Sequence, residues 1–111
     1  IITVGTNDKD MAFAVESLIQ QGGGISLVKG EKVINSMPME VGGLMSDKPG
    51  EWVSRKLAQI HEDAYKQLGV NRNVEPIMTL CFMSLAVIPE IKLTDMGLFD
   101  ITQQEFISIE A

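Results

Sequence analysis

His61 and Cys81 are the single histidine and the single cysteine of this 111-residue chain, so they bound the chemistry it can perform. A Ser/His/Asp arrangement has only His61 to draw on, and His61 falls mid-helix beside an apolar stripe, between Ile60 and Glu62. A helix-face histidine with no motif around it is read as structural, ahead of general acid–base work with an Asp or Glu. A hydrolytic metal site needs three or more His, Cys or carboxylate ligands converging on one point. The acidic residues here form no ligand-spaced motif, and no independent active site is visible. Cys81 cannot close an internal disulfide and lies in an apolar run, where an inert core thiol is expected.

Gly22-Gly23-Gly24 invites a phosphate-loop reading. A phosphate cradle, however, precedes its helix, so that free N–H groups point at the anion. These glycines follow a helical pattern and lead into a strand, which favours a helix stop and a tight turn. Ser46-Asp47 has the chemistry of a helix N-cap, with a polar contact at the lip of an interface as the sharper alternative. Trp52 is expected to anchor its helix against Gly42-Gly43, or to sit in an interface, rather than to stack a ligand. Met37, Met39, Met45 and Met96 fall outside the helical stripes, and core filling and a pliable contact surface are equally expected of them.

The elements that position these residues follow from periodicity. Ile2-Thr3-Val4 reads as a short strand; Asn7 or Asp8 caps a helix carrying Met11, Ala14, Val15, Leu18 and Ile19, and Gly22 stops it. Ile25–Lys29 and Lys32–Ser36 read as a hairpin turned by Gly30-Glu31, with Pro38 ending the second strand or placing it at an edge. Ser46 or Asp47 then caps a second helix with the stripe Val53, Leu57, Ile60, Ala64 and Leu68, closed by Gly69, and with a Glu62–Lys66 pair on its wet side. The run from Ile77 to Ile88 reads as a buried strand, and Phe106–Ile109 as a final one. The order β-α-β-β-α-β-β predicts an α+β fold: a two-layer sandwich of a mixed four- to five-stranded sheet with two helices, the first β-α-β unit parallel. Residues 1–111 form a single domain without repeats or low-complexity segments.

Composition narrows the partners. A hydrophobic fraction of 45% with 22% charged residues is that of a soluble globular domain. The net charge of -6 comes with no basic cluster, which argues against nucleic acid and anionic membrane. The apolar run is too short to span a bilayer, and no signal peptide or lipidation site is expected from these residues. A chain without disulfides suits a reducing compartment, so a cytoplasmic location is expected. The start at Ile1 rather than Met leads us to expect a piece of a longer chain.

One segment stands apart. After Pro89, the apolar residues Ile91, Leu93, Leu98 and Phe99 alternate with Glu90, Lys92, Thr94 and Asp95, where a plain surface loop would be polar. Such a segment lies against the domain's own sheet or against a partner. Together with Gly42–Asp47 it supplies the candidate interdomain or active-site-mouth contacts: Ser46, Asp47, Glu90, Lys92, Thr94 and Asp95.

Several blocks now combine. Val4-Gly5-Thr6-Asn7-Asp8 with Met11, Gly22-Gly23-Gly24, Gly43-Leu44-Met45-Ser46-Asp47, Met78-Thr79-Leu80 with Phe82, and Val87-Ile88-Pro89-Glu90-Ile91-Lys92-Leu93-Thr94-Asp95 with Gly97-Leu98 occur in order along the whole chain. In these the chain resembles the C-terminal domain of bacterial and archaeal adenine deaminases of the amidohydrolase superfamily. The resemblance implies a parent enzyme that hydrolyses adenine to hypoxanthine and ammonia at a manganese or iron centre. In that family the metal ligands belong to a (β/α)-barrel preceding this region, so no catalytic or metal-binding role carries over to any residue here. The implied partners are the enzyme's own barrel and, for the full-length protein, further copies of itself in a homo-oligomer. The implied role is that of a non-catalytic accessory domain, inactive alone. A free-standing α+β ligand-binding or oligomerisation module is the alternative.

Overall fold

The computed structural model describes residues 1–110. Its elements are α1 (Asp8–Gln21), β1 (Gly24–Val28), β2 (Val33–Pro38), α2 (Gly50–Gln67), α3 (Pro76–Met83), β3 (Ile91–Thr94), β4 (Gly97–Asp100) and β5 (Glu105–Ile107). The α+β class holds. The five strands fall into two antiparallel sheets, β1-β2 and β3-β4-β5, rather than one mixed sheet. Ile2-Thr3-Val4 forms no strand, so the expected parallel β-α-β pairing is not made.

Local chemistry explains α1. Asn7 caps it, its side-chain oxygen accepting from the Asp10 N–H at 2.9 Å. At the other end Gly22 turns left-handed, and the Gly22 and Gly23 N–H groups donate back to Ile19 and Leu18 at 3.2 and 2.9 Å. Those two amides are therefore committed to helix carbonyls, which closes the phosphate-loop reading.

The β1–β2 hairpin turns through Gly30 and Glu31, both at positive φ, as a two-residue loop matching strand twist requires. Glu31 is not a glycine, and its turn is held from outside. The Asp10 carboxylate accepts from the Glu31 N–H at 2.7 Å and the Gly30 N–H at 3.1 Å. These bonds, the one from Glu31 first, lower the Asp10 pKa from the ordinary carboxylate value. A group whose folded pKa is depressed contributes stability above its unfolded pKa and loses it as pH falls through the folded one. Wild type is therefore expected to unfold at higher urea than Asp10→Ala at neutral pH, with the two midpoints converging below the ordinary carboxylate range. A gap independent of pH would refute the anchor.

The hairpin lies between two helices. Ser26 points to α1, its hydroxyl 2.7 Å from that of Ser17, while its neighbour Leu27 packs on α2. Leu27, Met37, Ile60 and Ala64 form the buried cluster, with Trp52, Val53 and Leu57 against it. A polar seam runs alongside: Lys56 donates to the Asn35 side-chain Oδ1 at 2.6 Å, and Asn35 Nδ2 donates to the Asp63 carboxylate at 2.7 Å. The bond from Asn35 is the main reason that the Asp63 pKa is lowered. The expected Glu62–Lys66 pair forms at 2.7 Å.

Two sequence expectations change. Helix α2 starts at Pro49 rather than at a Ser46 or Asp47 cap; the Ser46 hydroxyl instead accepts from the Lys48 N–H at 3.2 Å, inside the preceding turn. The apolar run is helix α3, not a buried strand. Pro76 occupies its first turn and the Glu75 carboxylate caps it by accepting from the Met78 N–H, a start signal that outweighs an apolar run lacking true period-2 alternation. Cys81 is accordingly exposed rather than in the core.

Candidate docking surface

The six candidate contact residues fall in two places. Ser46 and Asp47 follow the Val41–Met45 turn, whose ends are joined by a bond from the Val41 N–H to the Met45 carbonyl at 2.9 Å. The Asp47 carboxylate pairs with Lys48, which also reaches Glu40 at 3.1 Å. Asp47 first, and Glu40 after it, raise the Lys48 pKa above the ordinary lysine value. Beside this cluster opens a recess of about 560 Å³ lined by Met37, Met39, Met45 and Ser46.

Glu90, Lys92, Thr94 and Asp95 lie in and around the β3–β4 hairpin. The Thr94 hydroxyl donates to the Gly97 carbonyl at 2.8 Å and accepts from the Met96 N–H at 3.1 Å, which shapes the turn carrying exposed Asp95. The Glu90 carbonyl accepts from the Ile101 N–H at 2.8 Å. Lys92 is half-buried beside the edge-to-face pair of Phe99 and Phe106, whose rings stand 5.1 Å apart.

These two groups are not brought together by packing. Among the described residues, the β3-β4-β5 sheet packs on no other helix or strand. The radius of gyration is 15.5 Å, above the ~13 Å of a compact domain near this length. Strand register puts Ile91, Leu93, Leu98 and Ile107 on one face of this sheet with Asp100 and Glu105 at its end; Leu93 is 79% and Ile91 47% exposed, while Leu98 and Ile107 are half-buried. An exposed apolar stretch rimmed by carboxylates has the chemistry of a contact surface. The methionines divide accordingly: Met37 is fully buried and Met39 packs on the core, while Met45 and Met96 are exposed.

Catalytic chemistry has little to work with. His61 Nε2 meets the Glu75 carboxylate, so it ties α2 to the cap of α3. Among the described residues no three His, Cys, Asp or Glu side chains are grouped so that they could hold a metal ion. No helix described is long and apolar enough to cross a membrane. Sequence reasoning missed α3, which exposes Met78, Phe82 and Met83; Glu75-Pro76 was the signal that marks it.

The glycine blocks, by contrast, do converge. A Cβ at Gly23 would stand 2.5 Å from the Gly43 Cα, so the two loops touch backbone to backbone, and Trp52 packs on the core cluster. Residues 1–105 match the adenine deaminase C-terminal domain family. The chain is 68% identical over its full length to adenine deaminase 2 of Desulfotalea psychrophila and 49% identical over its full length to adenine deaminase of Geobacillus kaustophilus. It is 47% identical over 98% of its length to adenine deaminase of Nitratidesulfovibrio vulgaris. In each case it spans about a fifth (19%) of the relative's length. With residues 1–105 matched by the family and identities of up to 68% over the full chain, this chain belongs to the adenine deaminase C-terminal domain family.

Proposed function

We propose that this chain is the C-terminal accessory domain of a cytoplasmic adenine deaminase in purine metabolism, that it docks on the enzyme's catalytic barrel, and that it is inactive alone. The carrying observation is the exposed apolar stretch of the β3-β4-β5 sheet, with Leu93 79% and Ile91 47% exposed on a sheet that no other described helix or strand approaches closely. The names of the relatives, and the fifth of their length that the chain spans, support assignment of the chemistry to the remaining part. Hydrolysis of adenine to hypoxanthine and ammonia, with manganese or iron, is assigned to that part. Glu90 and Asp95 border this contact beside Ile91, Leu93 and Met96, Lys92 and Thr94 serve the opposite face of the same hairpin, Ser46 and Asp47 form a second, separate patch, and a homo-oligomer of the full-length enzyme extends the contact.

Deleting this domain from the intact deaminase is expected to lower adenine turnover about tenfold or more, because a misplaced support shell costs at least that much. It is also expected to disturb assembly measured by sedimentation. The 111-residue chain alone, supplied with manganese or iron, is expected to deaminate no adenine. Normal turnover and assembly after the deletion, or activity in the isolated chain, would overturn the reading.

A further inference from the structure

The β1–β2 sheet is covered on both faces, by α1 and by α2, yet has only two strands. Strands covered on both faces are normally interior strands of a wider sheet. The hydrogen-bond register shows which groups lack a partner. The bond from the Met39 N–H to the Gly23 carbonyl makes Gly23 and Met39 a bonded pair, so in an antiparallel ladder Ile25–Met37 and Leu27–Asn35 are bonded too. Gly24 and Ser26, opposite Pro38 and Ser36, therefore turn their N–H and C=O groups away from β2, toward the outer edge of β1. Pro38, without an N–H, fits the same pattern on the other strand.

The two outer edges are not alike. That of β2 carries Pro38, a device that blunts an edge, whereas Gly24-Ile25-Ser26-Leu27-Val28 has neither a charge nor a proline. Along the β1 edge runs a cleft of about 1230 Å³, touched by every residue of β1 and by none of β2. It is lined by Met11 and Leu18 of α1, by Ala64 of α2 with Ile77 and Leu80 of α3, and also by residues 1–6 and 42–44. A five-residue strand between two helical layers fills roughly 800 Å³, from a 3.3 Å rise, 4.8 Å strand spacing and 10 Å layer spacing. The cleft has the position for a third strand and more than enough room for one.

We infer that the outer edge of β1 receives an extended apolar strand from the catalytic portion of the enzyme, completing the sheet across the domain boundary. This rests on the docking reading above and specifies one contact within it. The occupant is assigned to that portion because the chain spans 19% of its relatives' length and the family places it at their C-terminus. Main-chain bonds to Gly24 and Ser26 give the attachment, and alternate side chains of the incoming strand fill the walls.

Backbone amide exchange at Gly24, Ser26 and Val28 tests this, compared between the 111-residue chain and the intact deaminase. Exchange at Ser26 is expected to slow about 100-fold or more in the intact enzyme, as for an amide drawn into a sheet interior. Ser26→Pro removes an outward N–H and leaves the β2 ladder intact, so it is expected to abolish that attachment, read as faster exchange across the docked face. Ser26→Ala, which keeps the N–H, is expected to preserve it. The exchange comparison on the unaltered protein stands even if the proline variant fails to fold. Equal exchange at all three amides would overturn the inference. So would protection already present in the chain alone, whether concentration-dependent, from a second copy, or concentration-independent, from Ile2–Val4 closing on β1. Protection confined to Ser46–Asp47 and the β3–β4 hairpin would sink the inserted strand but leave docking standing; no difference anywhere would sink both.

Discussion

Gly24→Ala is expected to lower unfolding free energy by roughly 3 kcal/mol or more, and Gly22→Ala by only about 1 kcal/mol. Both glycines have positive φ, +116° at Gly24 and +79° at Gly22, so both substitutions strain the backbone. They differ in surroundings. Nothing lies within 4 Å of a Cβ at Gly22, whereas a Cβ at Gly24 would stand 2.2 Å from the Met37 carbonyl oxygen and 2.9 Å from the Met39 nitrogen. Those atoms belong to the paired strand, so relief requires opening the ladder at the residue that carries the largest buried methionine. Urea unfolding followed by circular dichroism measures both variants. Equal midpoints would mean that the hairpin yields without cost, and the close approach would lose its explanatory role.

Ile60→Ala is expected to cost about 2–5 kcal/mol, the range for deleting a fully buried aliphatic side chain that leaves a cavity. Ile60 is 0% exposed and packs with Leu27, Met37 and Ala64 in a cluster of four, so its loss affects most of what joins α2 to the hairpin. Against a total stability of roughly 5–15 kcal/mol for a small domain, that is a large share. Leu68→Ala is the comparison. The sequence stripe includes Leu68 with Ile60, yet Leu68 is 37% exposed in the fold, and its truncation is expected to cost less than about 1 kcal/mol. Similar losses at both positions would show that the four-residue cluster is not the core that holds the domain.

The second comparison also shows where sequence reading stops. Periodicity placed Val53, Leu57, Ile60, Ala64 and Leu68 on one face, since helix geometry is local. How far the opposing sheet extends along that face is not local, and a two-stranded hairpin covers Ile60 and Ala64 but not Leu68. The same limit applies to Ile2–Val4. Its β-branched residues suit a strand, but pairing requires a neighbour at the β1 edge, and among the described residues that edge has none. The stretch after Glu75 was ambiguous for a different reason. With Met78, Leu80 and Phe82 alternating against Thr79, Cys81 and Met83, neither parity is decisively polar, so a capped proline start settled it as helix.

The candidate contacts were legible as chemistry but not as geometry. Ile91, Leu93, Leu98 and Phe99 among polar residues announced a covered segment, and the register then divided them between two sheet faces. Ser46 and Asp47 looked like a cap because caps need their chemistry; the structure gives Asp47 to Lys48 and starts the helix at Pro49.

By itself, the sequence determined the parts governed by neighbours in the chain: a cap at Asn7 or Asp8, the Gly22 stop, the Gly30-Glu31 turn, the α2 stripe and the blocks that identify the family. Tertiary structure alone decided that Asn7 is the cap, that α1 and α2 take opposite faces of one hairpin, that Gly23 and Gly43 touch, that Leu93 and Ile91 of the C-terminal sheet are left exposed, and that the outer edge of β1 opens on a cleft. Caps and turns are fixed by hydrogen bonds a few residues apart. Faces and edges depend on which distant surfaces remain to be covered, and no local pattern encodes that.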